Sequence, residues 1–287
     1  MFIILHYTYS TKAEVFEPPY SLRRAASNTL IRGVGWLKYL CLGGVTLTLF
    51  RPPPVTTVCH LLFYTSKMSP TVFIVGASRG IGRGLVNKFV GAGWNVHATA
   101  RATDVTFPDG VTTHILDVEN SEQVEQVAKS AQIQGKPIDL FIHNAGVKPS
   151  NTISDEQCFN INTNCPFRVI KAFMKNLTHS ESQKKICIMT SMKGSREVFG
   201  GGSTPRECYG KSKCRLNDKF RETEPSWREN GVKSIVVHPG WVQTDMGGDK
   251  APVTIEESCD GIYKVCIAIN ANDCGKFYTY EGKEHPW

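Results

Sequence analysis

No Cys-x-x-Cys pair occurs in the 287 residues, and neither the ten cysteines nor the eight histidines gather at metal-ligand spacing. A zinc site and a disulfide framework are therefore excluded as organising devices. Internal repeats and low-complexity tracts are absent too. The apolar stretch Trp36 to Phe50 carries Lys38 and, at about fifteen residues, is short for a membrane span, so no stable span is expected. Excess charge is missing from most of the chain. The net charge is +7, but residues 1–67 hold seven Lys/Arg against Glu14 and Glu17, or +5, which leaves about +2 for the rest. So balanced a surface argues against nucleic acid as a partner. Scattered thiols with no pairing pattern suit a reducing compartment, and a cytoplasmic location is expected.

The first 67 residues show no sustained period of helix or strand. They lack the basic start and apolar core of a signal peptide, although Arg23, Arg24 and Arg32 give a faint organelle-targeting character. We expect 1–67 to be an extension that is disordered or mis-assigned, with translation starting at Met68, and 68–287 to be one domain.

That domain opens with Thr71-Val-Phe-Ile-Val75, which runs into Gly76-Ala-Ser-Arg-Gly80-Ile-Gly82, then Leu85, Val86 and Phe89 at helical spacing. An unbroken apolar run suits a strand buried on both faces of a parallel sheet. Glycines in the turn let backbone N–H groups approach a pyrophosphate at the helix N-terminus. Gly76, Ser78, Arg79, Gly80, Ile81 and Gly82 are thus candidate cofactor contacts. About twenty residues on, a chain that binds NAD would place an acid for the ribose. Here the strand Asn95-Val-His-Ala-Thr-Ala100 ends in Ala100 and Arg101. Arg79 and Arg101 are placed to clamp a 2′-phosphate through bidentate forks. The expected cofactor is NADP(H).

Tyr209-Gly-Lys-Ser-Lys213 puts a phenol and an ammonium side by side on a helix. A phenol holds its proton to about pH 10, and a nearby positive charge favours the phenolate. Proton transfer is the chemistry such a pair serves.

Five motifs in order carry a resemblance: the glycine turn, His143-Asn-Ala-Gly146, Ser191 closing Lys185-Ile-Cys-Ile-Met-Thr190, Tyr209 with Lys213, and His238-Pro-Gly240, with Asn162 between them. From about Ser69 to Trp287 the chain resembles the short-chain dehydrogenase/reductase family of the Tyr-x-x-x-Lys branch. Residues 238–248 and the Gly275 to Trp287 ending are most similar to C-factor and sniffer-type carbonyl reductases. The resemblance implies an α/β Rossmann fold, a doubly wound parallel sheet of about seven strands with helices on both faces. It also implies an NADP-dependent oxidoreductase acting on a small-molecule carbonyl substrate, with a homodimer left open. Tyr209 would be the general acid. Lys213 would stabilise the phenolate and bond the nicotinamide ribose, Ser191 would polarise the carbonyl, and Asn162 would keep a water in line with Lys213. Asn160 and Asn164 compete with Asn162 for that match. Asp117 and Val118 would lie against the adenine, and Asn144, Ala145 and Gly146 along the cofactor. Pro239, Gly240, Val242 and Thr244 would cup the nicotinamide, the latter two near the carboxamide. Other readings are a signalling or regulatory protein of the C-factor type with little turnover, or an alcohol or steroid dehydrogenase acting oxidatively.

His143 replaces the family's more usual asparagine and is read as a satisfied structural histidine; Cys208 and Cys214 are read as quietly packed thiols. The short connection 245–255 suggests an open site that accepts varied aldehydes and ketones. Further elements are expected at Thr112 to Leu116, Glu122 to Ala131, Ser234 to His238 and Gly275 to Tyr280.

Overall fold

The computed structural model describes residues 69–130, 132–180, 183–200 and 207–287, and in addition the backbone of four strands nearer the N-terminus. The chain divides into two compact units, Met1–Met68 and Ser69–Trp287. In the first, β1 (Leu30–Val34), β2 (Leu37–Leu42), β3 (Val45–Phe50) and β4 (Leu62–Thr65) pair antiparallel in sequence order. These strands lie where the sequence shows no sustained alternation. The residues around them, on which the expectation of disorder also falls, lie outside the described residues.

The second unit is built on strands β5 (Thr71–Val75), β6 (Asn95–Ala100), β7 (Thr112–Ile115), β8 (Leu140–His143), β9 (Lys185–Met189), β10 (Lys233–His238) and β11 (Lys276–Thr279). They form one sheet in the order β11-β10-β9-β8-β5-β6-β7, every pair parallel. Side chains alternate between its faces, as strand geometry requires. Phe73, Val75, Phe141, Ile186 and Val236 enter one core with α2 (Ser121–Ala128), α4 (Cys165–His179) and α6 (Cys208–Glu229). Val72, Ile74, Ile142, Cys187 and Val237 enter the other with α1 (Gly80–Gly91) and α7 (Ile255–Ala268); the short helices α3 (Asp155–Phe159) and α5 (Arg196–Gly200) complete the series. This is the doubly wound Rossmann architecture, and the expected elements fall within a few residues of their places. Residue 131, on the stripe expected for α2, lies outside the described residues. Truncating one of the fully buried side chains, such as Phe141, is expected to cost about 3–5 kcal/mol.

Two rings stand out between strands. His97 on β6 and His114 on β7 are buried, their Nδ1 and Nε2 atoms 2.9 Å apart, and both lie beside Phe73. Burial pulls each down to about 4, so both are neutral at pH 7.

From β5 the chain winds toward β7, and from β8 it winds toward β11. At such a switch point the connections leave in opposite directions and open a crevice beyond the carboxyl ends of the strands.

Candidate active site

A cleft of about 780 Å³ occupies this crevice. Its phosphate end is shaped by the glycine turn. Gly76 sits at φ 78°, where a Cβ would lie 2.7 Å from the backbone N of Ala145. A Cβ on Gly82 would meet the Gly76 carbonyl. Thr99 closes the turn from β6: its hydroxyl accepts from Gly76 N at 2.9 Å and its carbonyl from Ala77 N at 2.9 Å. Asn144 Nδ2 donates to the Gly76 carbonyl at 2.7 Å, tying β8 to the same turn. Helix α1 then begins after Arg79 with no side-chain cap and no acid in its first turn. Unpartnered N–H groups and the positive end of the helix dipole make that start an anion seat, so these residues fit a dinucleotide pyrophosphate.

Of the turn's candidates, Gly76, Ser78, Arg79, Gly80 and Ile81 line the cleft, while Gly82 packs behind it. Arg101, Asp117, Val118, Asn144, Ala145 and Gly146 line it as well. Arg79 already has a partner: its Nη1 lies 3.0 Å from Asp245 Oδ2, with both side chains about three-quarters exposed. Beyond β10, Pro239 and Thr244 line the cleft and Gly240 and Val242 do not. Gly240, at φ 90°, turns the chain against the Tyr280 ring. Val242 is buried and bridges Val253, which braces the loop from below.

The catalytic candidates meet at the other end. Tyr209 and Lys213 stand in the first turns of α6, and both line the cleft. The Ser191 hydroxyl lies close enough to the Tyr209 phenol to favour its ionised form, and it caps the short helix Met192–Gly194 by accepting from Lys193 N at 3.2 Å. Lys213 is buried, with Nζ donating to the Met189 carbonyl at 2.8 Å. Burial pulls its ammonium down to about 8, opposed by the Cys158 thiol nearby. Burial also pushes Tyr209 up to about 12; the neighbouring Ser191 hydroxyl works against this and Cys158 adds to it. Helical spacing brings Tyr209 and Lys213 to the same cleft, with the ammonium anchored on Met189. What results is a phenol that keeps its proton at neutral pH.

Among the three neighbouring asparagines, Asn160 bonds Glu119 and Asn164 accepts from Lys219, both away from the centre. Asn162 is fully buried, in a turn of π-helix spanning Asn160–Asn164. Its Oδ1 accepts from Val147 N at 2.9 Å, and its Nδ2 donates to Val147 O at 2.8 Å and to Ser212 Oγ at 2.9 Å. Ser212 Oγ in turn donates to the Tyr209 carbonyl at 2.7 Å. The amide is thus held by Val147 and Ser212 on both its oxygen and its nitrogen.

At the rim, the Lys148 ammonium lies 5.6 Å over the Tyr209 ring and donates to the Met246 carbonyl at 2.9 Å. Lys193 is close by and paired with Glu207 at 2.9 Å. Trp241 and Met246, 55% and 39% exposed, add apolar surface on the neighbouring loop.

His143 is buried under this region and pushed down to about 3 by burial, with Lys213 adding. Its Nε2 finds no partner, so it is less satisfied than the sequence reading has it. Burial raises both Cys208, to about 11, and Cys214, which makes them weak nucleophiles. Among the described residues no group of His, Cys, Asp or Glu could hold a metal, and no helix is long and apolar enough to cross a membrane. Thr99, Ser212 and Asp245 have structural parts that the sequence reading missed. Thr99 alone left a signal, as the polar residue between Ala98 and Ala100 in a buried strand.

Residues 70–253 match the family model of the short chain dehydrogenases. The C-signal protein of Myxococcus xanthus is 32% identical over 158 residues, 53% of this chain and 93% of that protein. An NADPH-bound carbonyl reductase from chicken fatty liver superposes with a TM-score of 0.68 at 28% identity, covering 76% of this chain and 99% of that one. The carbonyl reductase Sniffer of Drosophila melanogaster superposes with a TM-score of 0.67 over 76% of this chain and all of its own; at 23% identity it speaks for the fold alone.

Proposed function

The chain belongs to the short-chain dehydrogenase family, and on that premise we propose that it is an NADP(H)-dependent oxidoreductase that reduces the carbonyl groups of small aldehydes and ketones. The observation that carries the reading is the Tyr209 phenol and Lys213 together in the lining of the cleft, with the buried Ser191 hydroxyl near the phenol. A carbonyl oxygen seated between the two hydroxyls accepts a hydrogen bond from each. The bound nicotinamide supplies the hydride. As negative charge grows on the carbonyl oxygen, Tyr209 gives up its proton, which contributes roughly 10² to 10⁴-fold. Lys213 stabilises the phenolate left behind, which a high phenol pKa makes necessary, and bonds the nicotinamide ribose. Asn162 keeps the proton-supply water in line with Lys213 and holds the Val147 wall through its amide. Arg79 and Arg101 clamp the 2′-phosphate, and Asp117 with Val118 faces the adenine. The NADPH-bound relative supports the choice of cofactor.

The test follows NADPH absorbance over a panel of aldehydes, quinones and ketosteroids, in the wild type and in Tyr209→Phe. Turnover that drops at least a hundred-fold in the variant, with NADPH affinity kept, is the expected result. Full turnover in the variant would overturn the mechanism. Similarity to the C-signal protein favours one second reading, a regulatory protein that binds cofactor with little turnover. Tight NADPH binding with no activity on any carbonyl would select it.

Residues 68–287 are proposed as the self-sufficient enzyme, supported by the division at Met68. A chain trimmed to those residues should match the full chain in Tm and activity, and a clear loss of either rejects this. Cytoplasmic residence belongs to the same reading, supported by eight free cysteines among the described residues.

A further inference from the structure

We propose that Lys148 selects, among carbonyl substrates, those that carry a carboxylate close to the reacting carbonyl. The assignment rests on the reductase reading above and names its substrate class.

Lys148 is exposed, yet its ammonium is not free to wander. The bond to the Met246 carbonyl holds it over the ring of Tyr209, and both of those residues line the cleft. One of its three donors is used there, so two remain for a ligand. Among the described residues no carboxylate pairs with it. Glu207, an acid that feels the Lys148 charge, is bonded to Lys193 instead, and Lys148 contributes to it only through space. An ammonium without an acid, fixed beside the general acid, favours an anion at one position relative to the substrate carbonyl. The exposed Trp241 and Met246 suit an apolar body between the two polar ends. A substrate with an aldehyde or ketone at one end, a short apolar spacer and a carboxylate fits this layout.

A matched pair of probes isolates the charge: 4-carboxybenzaldehyde and its methyl ester, each reduced with saturating NADPH. In the wild type kcat/KM should favour the acid by roughly five-fold or more, mainly through KM, and the preference should shrink as salt rises. Lys148→Met should bring the ratio to about one, Lys148→Glu should invert it, and Lys148→Arg should keep it. Loosening of the Met246 loop would lower both rates together and cancels in the ratio. Both aldehydes turned over, with a ratio that ignores residue 148, would overturn the assignment and leave the reductase reading standing. Neither aldehyde turned over would count against that reading and take the assignment with it.

Discussion

Asn162 and Val147 are bonded to each other twice: the asparagine amide both accepts from the Val147 N–H and donates to its carbonyl, at 2.9 and 2.8 Å. Asn162 reaches Val147 from the π-helical turn at Asn160–Asn164, and Val147 lines the cleft.

Replacing Asn162 by Ala leaves the Val147 N–H and carbonyl without the amide that bonds both, and takes from the Ser212 hydroxyl the donor it accepts from. Unsatisfied groups of this kind cost about 1–3 kcal/mol each, so thermal unfolding should show a lower Tm. The cleft wall and the Tyr209 carbonyl both hang on this network, so kcat should fall about ten-fold or more while NADPH affinity changes little. A variant with wild-type kcat would show that the network only supports the fold.

The alkaline side of the pH profile should belong to Lys213. Burial places its ammonium at about 8 and the Tyr209 phenol at about 12. Below pH 8 the ammonium is present to stabilise the phenolate; above it the charge is lost while Tyr209 remains protonated. Reductase kcat/KM for the free enzyme should therefore decline as pH rises through about 8. In Lys213→Arg the residual activity should lose that decline, because a guanidinium stays charged. The same alkaline limb in both proteins would assign it elsewhere.

Arg79 divides its attention between Asp245 and any phosphate. The pair is so exposed that it is worth little by itself. Asp245→Asn should tighten NADPH about two-fold by freeing the guanidinium, whereas Arg101→Ala should weaken NADPH roughly ten-fold and leave NADH nearly unchanged. Fluorescence titration of the two cofactors checks both. Equal effects on NADPH and NADH would remove the arginines from 2′-phosphate recognition.

Acid should destabilise the fold through its buried imidazoles. His97 and His114 fall from 6.5 to about 4 on folding, chiefly through burial, and His238 does likewise. Between those values the unfolded chain binds protons that the folded one refuses. Stability from this source is complete above pH 6.5 and is lost as pH falls toward 4. A His97→Phe, His114→Leu double variant should show a smaller drop in Tm between pH 7 and pH 4.5 than the wild type. Identical drops would mean that the pair is not a source of acid sensitivity.

The phosphate end was the more legible half in sequence because its devices are local. A glycine turn between an apolar strand and an amphipathic helix is contained in Thr71 to Phe89, and Arg101 marks its own strand end. The catalytic residues were legible by type and order, but their energetics were not. That Tyr209 rises to about 12 depends on how deeply the fold buries it, which no spacing reveals. Asn162, unlike Asn160 and Asn164, bonds Val147 and Ser212, and what its amide does depends on a strand exit fifteen residues away. The Arg79 to Asp245 contact spans 166 positions, and only folding brings such partners together. The family resemblance puts Val242 near the carboxamide, whereas the loop buries it against Val253.

The two cores of the sheet place the halves of the site on different foundations. Tyr209 and Lys213 ride on a helix packed on one face, and the anion seat of α1 rests on the other, with only the strands' backbone between them. Mutational drift on one face can thus reshape what is reduced while leaving dinucleotide recognition intact. An engineer can repack around α4 and α6 to change substrate without having to rebuild the nucleotide seat.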